Sequence, residues 1–296
     1  MSFEPNAARF DGFAEQYDEV RPTPPEDLGR LLRSYAGRAD HVVDVGAGSG
    51  LSTRWVAGWA DRVTGIEPGD EMRLQAAAAA PELTFRAGWG HDTGLESGCA
   101  DLVTCVQAFH WMEPTATLAE FARLLRPGGV FAAIDCDWPP AVGSVAAERA
   151  WSDCRATIRV LERRVAEGAS VDELARPVRG SAEWAAYDGV DPHRDRVLAD
   201  GVRSWPKSGH LDQLRASGRF DWVREVVTHA LEPGDAERFV GLLRSQGDYR
   251  TLRRHGLTDE QLGADELERV ARTELGGPAR PWVFTYRARI GVVAPR

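Results

Sequence analysis

The sequence predicts an α/β fold with a doubly wound, mostly parallel sheet, on three observations. Short apolar runs alternate with helix-period stretches between residues 41 and 137, the runs are almost continuously apolar, and the first of them ends in glycines at alternate positions. Unbroken apolar runs are what strands covered on both faces look like, and strict alternation with helices implies right-handed βαβ crossovers.

The runs lie at residues 42–45, 63–66, 83–87, 102–107 and 130–135, separated by helical stretches at 51–59, 70–80 and 114–125. After residue 137 the pattern changes: 145–166 reads as one helix, and 168–206 is rich in Gly, Pro, Asp and Arg around scattered aromatics. Residues 208–217 then read as helix, 220–231 as a sixth strand, 234–246 and 258–275 as helices, and 282–293 as a seventh strand inserted antiparallel. The organisation predicted is a core with an N-terminal cap (1–137), a helical insertion folding over the substrate side as a lid (138–206), and a segment completing the core sheet (207–296).

Val42-Val43-Asp44-Val45-Gly46-Ala47-Gly48-Ser49-Gly50 carries most of the functional information. Glycine permits positive φ and removes the Cβ that would hold a ligand off the backbone, and the helix that follows aims free N–H groups at the turn. A dinucleotide fingerprint GxGxxG needs Gly or Ala at its sixth place, but Leu51 stands there. Asp44, two residues before the first glycine, suits a ligand bearing an ammonium group. In an open α/β sheet such a ligand lies at the carboxyl ends of the strands, where Gly46–Gly50, Glu67 and His110 all fall.

The acidic residue followed by xGxGxG, here Asp44, Gly46, Gly48 and Gly50, resembles the first motif of the class I S-adenosylmethionine (SAM) dependent methyltransferases. Three further landmarks follow in order. Arg62–Pro68 resembles the second strand ending in the ribose-binding acid, Ala100–Trp111 the fourth strand and its exit, and Leu124–Gly129 the turn before the fifth. Gln107-Ala108-Phe109-His110-Trp111, with Phe10, Phe13, Ala14, Tyr17, Asp18 and Arg21-Pro22 near the start, resembles the small-molecule subgroup of the trans-aconitate and quinone methyltransferase type. That resemblance covers residues 8–137 and, more weakly, 207–296.

It implies a Rossmann-like fold and a SAM site at Tyr17, Arg21, Asp44, Gly46, Ala47, Gly48, Gly50, Glu67, Pro68, Trp89, Gly90 and Gln107. A carboxylate at Glu67 accepts two hydrogen bonds from a vicinal diol. Where relatives place an acid near the adenine amino group, this chain has Gly88-Trp89-Gly90-His91-Asp92. Trp89 stacks on the base with Asp92 accepting from it, or else packs beneath the sheet edge.

Methyl transfer from a sulfonium is already downhill, so alignment and exclusion of water carry the catalysis, and a base matters only if the acceptor holds its proton. His110 is the candidate base; the alternative is a histidine that only shapes the pocket. Trp111, Trp138 and Tyr249 are the candidate substrate-binding residues, Tyr249 through a Ser245-Gln246-Gly247-Asp248-Tyr249 segment that helix-end packing also explains. The implied function is methyl transfer to an O, N or C atom of a small organic molecule. A SAM-cleaving lyase or cyclase releasing methylthioadenosine, or a non-catalytic SAM-binding protein, uses the same pocket.

At 296 residues with 43% hydrophobic content, the chain fits one decorated α/β domain. A net charge of −9 argues against a nucleic-acid substrate, and one lysine among 36 basic residues fits a coding bias better than a recognition task. Cys99, Cys105, Cys136 and Cys154 lack CxxC spacing and, with seven scattered histidines, predict neither disulfides nor a metal site. No apolar run reaches the ~20 residues of a membrane span, and residues 1–25 do not read as a signal peptide, so the expected compartment is the cytoplasm.

Overall fold

All four residues of Val42–Val45 are buried, and this strand lies inside the sheet, between two parallel neighbours. The computed structural model describes residues 6–7, 18–187 and 196–295. Beside a small two-stranded sheet of Arg196–Val197 and Arg203–Ser204, the strands of its main sheet are β1 (Val42–Val45), β2 (Val63–Ile66), β3 (Thr84–Arg86), β4 (Ala100–Val106), β5 (Leu125–Cys136), β6 (Trp222–Gly234) and β7 (Arg280–Val292). They form one sheet in the order β3-β2-β1-β4-β5-β7-β6. β1 to β5 are mutually parallel, and β7 is antiparallel to both its neighbours, β5 and β6. The order reverses between β1 and β4, which opens a crevice beyond their carboxyl ends.

Helices flank the sheet: α1 (Glu26–Ala36), α2 (Leu51–Ala57), α3 (Asp70–Ala79), α4 (Pro114–Leu124), α5 (Val145–Ala166), α6 (Val171–Leu174), α7 (Ala182–Tyr187), α8 (His210–Ala216), α9 (Ala236–Arg244), α10 (Gly247–Arg254), α11 (Asp259–Leu262) and α12 (Ala264–Leu275). Side chains alternate across the strands, so Val42 and Leu102 enter one core cluster while Val43 and Val103 enter the other. Val42's cluster includes α1, α5, α9 and α12; Val43's holds α4 and Leu214 of α8. Start signals are local. Glu113 accepts from the N–H groups of Thr115 and Ala116 with Pro114 at the first position of α4, and Asp235 caps α9 through Arg238 N–H.

The predicted helix over 145–166 is α5, and it packs deep in the first cluster. Trp151 lies 5.2 Å from the Phe239 ring, and Arg155 makes two bonds of 2.6 and 2.5 Å to Asp248 of α10. The predicted helix over 234–246 starts later, because β6 runs on to Gly234. The one over 258–275 breaks at Gly263, whose φ of 73° ends α11. Helix α10 had no prediction; Gly247 at its start interrupts the apolar period that would have marked it. Among the described residues no helix is long and apolar enough to cross a membrane.

Candidate functional site

At the end of β1 the chain turns through Gly46 (φ 76°) and Gly48 (φ 56°), conformations that side chains resist. The N–H groups of Gly46 and Ala47 both donate to the Ile66 carbonyl, at 2.8 and 3.0 Å, tying the turn to β2. A Cβ on Gly46 would fall 2.4 Å from the Ala108 Cβ, so packing against the β4 exit requires glycine. On Gly48 a Cβ would meet nothing within 4 Å. Gly48 therefore leaves an open cradle.

That cradle is part of a cavity beyond the strand ends, which Gly46, Ala47, Gly48, Glu67 and Pro68 line on one side. Its interior of about 150 Å³ is roughly ten times the ~10–15 Å³ that seats one water, so it has room for a group larger than a single water. The Glu67 carboxylate is held at both oxygens: Gly48 N–H donates to Oε2 at 2.9 Å and Gly69 N–H to Oε1 at 2.8 Å. Burial pushes its pKa up against these two bonds. Trp89, Gly90 and His91 also line the cavity, and Trp89 exchanges two backbone hydrogen bonds with Asp92, of 2.8 and 3.1 Å. Gln107, Trp111, Met112 and Trp138 also line it, among other residues, with Arg21 over the Trp138 ring at 5.0 Å. Arg21 also donates to the hydroxyl and carbonyl of Ser245, at 2.9 Å each. Among the described residues of 138–206, Trp138 alone lines the cavity.

Four predicted site residues are placed elsewhere. Asp44 is fully buried and does not line the cavity; its carboxylate accepts from Ser52 and Thr53 at 2.7 Å and from Thr104 at 2.9 Å. It clamps the start of α2 and strand β4 beneath the glycine turn, and burial raises its pKa. Gly50 caps α2 at φ 85° and serves the turn, not the wall. Tyr249 is buried, and its hydroxyl donates to Asp259 at 2.7 Å, away from the cavity. Its segment opens α10, so helix packing accounts for it. Tyr17 lies outside the described residues, as do Phe10, Phe13 and Ala14.

His110 is the fourth. Its ring lies tilted at 46° against Trp111, with centroids 4.5 Å apart, and does not line the cavity. Burial, then the Lys207 ammonium, pull its pKa down to about 3, so the ring is neutral near pH 7. Its Nδ1 stands 3.6 Å from Asp135 Oδ1, outside hydrogen-bond length.

Asp135 is not among the candidate site residues of the sequence, since an acid ending an apolar run is ordinarily a solvated turn residue. It is buried at the end of β5 and is approached by Lys207 Nζ at 3.2 Å, His210 Nδ1 at 3.0 Å and Arg289 Nη1 at 2.9 Å. Burial alone would raise its pKa, but Lys207, His210 and the neighbouring His110 hold it well below the usual carboxylate range. Lys207 also donates to Gln107 Oε1 at 2.6 Å, linking this buried cluster to the cavity wall. The signal in the sequence was its uniqueness as the single lysine.

A sheet of this order, with a glycine turn after β1 and a buried acid ending β2, defines a Rossmann-like methyltransferase fold. Residues 43–133 match the methyltransferase domain family. The chain is similar to an uncharacterized methyltransferase of Mycobacterium tuberculosis, 39% identical over 115 residues, which cover 38% of this chain and 46% of the relative. It is also similar to a ubiquinone biosynthesis O-methyltransferase of Xanthomonas oryzae pv. oryzae, 35% identical over 94 residues, 30% of this chain and 39% of that one. The chain thus spans less than half the length of these curated relatives. A protein of Anaeromyxobacter dehalogenans described as a type II methyltransferase superposes with a TM-score of 0.57 at 23% identity, covering 93% of this chain and 99% of that one, and shares the fold.

Proposed function

We propose that this chain binds SAM in the cavity and transfers its methyl group to a small organic acceptor. The observation that carries this reading is the Glu67 carboxylate, fixed by two backbone N–H groups on the cavity wall beside the Gly48 cradle. Each of its oxygens keeps a second lone pair for the two hydroxyls of a ribose. Gly46, Ala47 and Gly48 hold the amino-acid end, where backbone can approach without side chains. Pro68, Trp89 and Gly90 enclose the base. SAM supplies a methyl group on a positively charged sulfur, activated for in-line displacement.

The protein's own contribution is alignment and exclusion of water. Trp111, Met112 and Trp138 give the acceptor end apolar walls, which supports an organic molecule of modest size. His110 stands behind those walls, and an acceptor atom that is already deprotonated, such as a carboxylate or phenolate oxygen, has no proton to lose and needs no base. The net charge of −9 supports a small molecule over a nucleic acid.

Titration calorimetry with S-adenosylhomocysteine tests the cofactor assignment, with loss of the heat in Glu67→Ala as the expected result. Mass spectrometry of the products formed from SAM and a metabolite pool tests the chemistry. A methylated product with S-adenosylhomocysteine supports transfer, whereas methylthioadenosine means the sulfonium is attacked at another carbon.

A further inference from the structure

We infer that Lys207 is a positioning residue that turns Gln107 into a hydrogen-bond donor toward the cavity, so that the ligand atom seated there bears a lone pair. The inference rests on the proposed function and deepens it, by naming the chemistry that the Gln107 wall selects.

A glutamine amide has one acceptor end and one donor end, and either can face a ligand. Here the choice is made from behind. Lys207 carries donors only, and its Nζ lies 2.6 Å from Gln107 Oε1, so the amide oxygen faces the ammonium. The reversed amide would set two N–H groups against three. The ammonium is itself held, because Nζ pairs with buried Asp135 at 3.2 Å, and Asp135 is gripped on its other oxygen by His210 and Arg289. At the far end Gln107 Nε2 donates to the Cys136 carbonyl at 3.4 Å, a long bond that leaves its second N–H for a further partner. The backbone agrees: Gln107 has a φ of 55°, costly for a side-chain-bearing residue, and this conformation brings the residue to the cavity wall. A group placed at Gln107 must therefore accept a hydrogen bond. A carboxylate or carbonyl oxygen qualifies, and an ammonium or amide N–H does not. The oxygen comes either from the cofactor's carboxylate or from the acceptor molecule.

Two variants separate the direction of the amide from its presence. Gln107→Glu keeps an oxygen for Lys207, with charge added, but removes the N–H and sets a second oxygen toward the cavity. Lys207→Met keeps the amide but frees it to turn. The first readout needs no ligand: the Gln107 side-chain amide resonances in the wild type are expected away from the averaged position of a solvated glutamine and are expected to move to it in Lys207→Met. Unchanged resonances overturn the pairing. The second readout is S-adenosylhomocysteine affinity by calorimetry together with methyl transfer from SAM to the product pool. A loss of about tenfold or more in S-adenosylhomocysteine affinity in Gln107→Glu, at an unfolding temperature no lower than the wild type's, supports the inference and assigns the oxygen to the cofactor. Unchanged affinity with a similar loss of transfer supports it and assigns the oxygen to the acceptor. Gln107→Glu matching the wild type in both measurements overturns it. A wild-type chain that binds no S-adenosylhomocysteine overturns the cofactor reading, while the amide resonances still decide the pairing.

Discussion

Gly48 N–H donates to Glu67 Oε2 at 2.9 Å, so the turn after β1 and the end of β2 are one unit. The bond does two things at once: it fixes the carboxylate and it fixes the left-handed turn whose open side faces the cavity. Replacing Glu67 with Ala removes the carboxylate from both Gly48 and Gly69. We expect S-adenosylhomocysteine affinity to fall by at least tenfold in calorimetry, with about 1–3 kcal/mol of stability lost, because two charge-assisted bonds disappear.

The two glycines of the turn separate packing from recognition. Gly46→Ala places a Cβ 2.4 Å from Ala108 Cβ at a φ of 76°, so strain and overlap add, and the unfolding midpoint in urea should drop clearly. Gly48→Ala carries about 1–2 kcal/mol of left-handed strain but meets no atom within 4 Å. That protein should fold and should fail to bind S-adenosylhomocysteine, because the new methyl stands in the cradle.

Asp44 yields a different signature. Asp44→Ala orphans the hydroxyls of Ser52, Thr53 and Thr104 in the core, at a cost of about 3 kcal/mol or more in urea unfolding. An Asp44 that only met a ligand's ammonium would leave the stability of the free protein unchanged.

The pH dependence of stability follows from His110 and Asp135. His110 has its folded pKa depressed to about 3, so the unfolded chain, with an ordinary value near ~6.5, binds the extra proton first. Its share of stability is complete above the unfolded value and is lost as pH falls toward 3. Asp135 acts in the same direction at lower pH: its depressed pKa contributes stability above ~3.9, and this is lost as pH falls through the folded value. Asp44 and Glu67, whose pKa values burial raises, act in the opposite direction, so the readout is a difference: in urea unfolding His110→Gln should lose less stability than the wild type as pH falls between about 6.5 and 4.

Tyr249→Phe removes one bond to Asp259, costs about 1 kcal/mol and leaves S-adenosylhomocysteine affinity unaltered. A change in affinity would return Tyr249 to the cavity.

Much of this was readable before the fold was known, and the reason is locality. The first five strands each fit within one window of sequence, and the glycine turn declares its own conformation. Glu67 was legible because a strand end fixes where its side chain goes. Asp44 was misread because its partners Ser52, Thr53 and Thr104 are brought in by two other elements. The Lys207–Gln107 pair is separated by 100 residues, and nothing in either neighbourhood points to the other. Helix α10 was missed because its opening Gly247 reads as a break.

β7 lies between β5 and β6 and pairs with β6 over thirteen residues, from Arg280 to Val292. The last of the seven strands in sequence order is therefore an inner plank of the sheet. A nascent chain carrying β1 to β6 has no way to seat β6, and its exposed β5 edge waits for a segment still inside the ribosome. Chaperone demand should peak at that stage of translation, and a stop codon before Arg280 should give an insoluble product in place of a shortened folded chain.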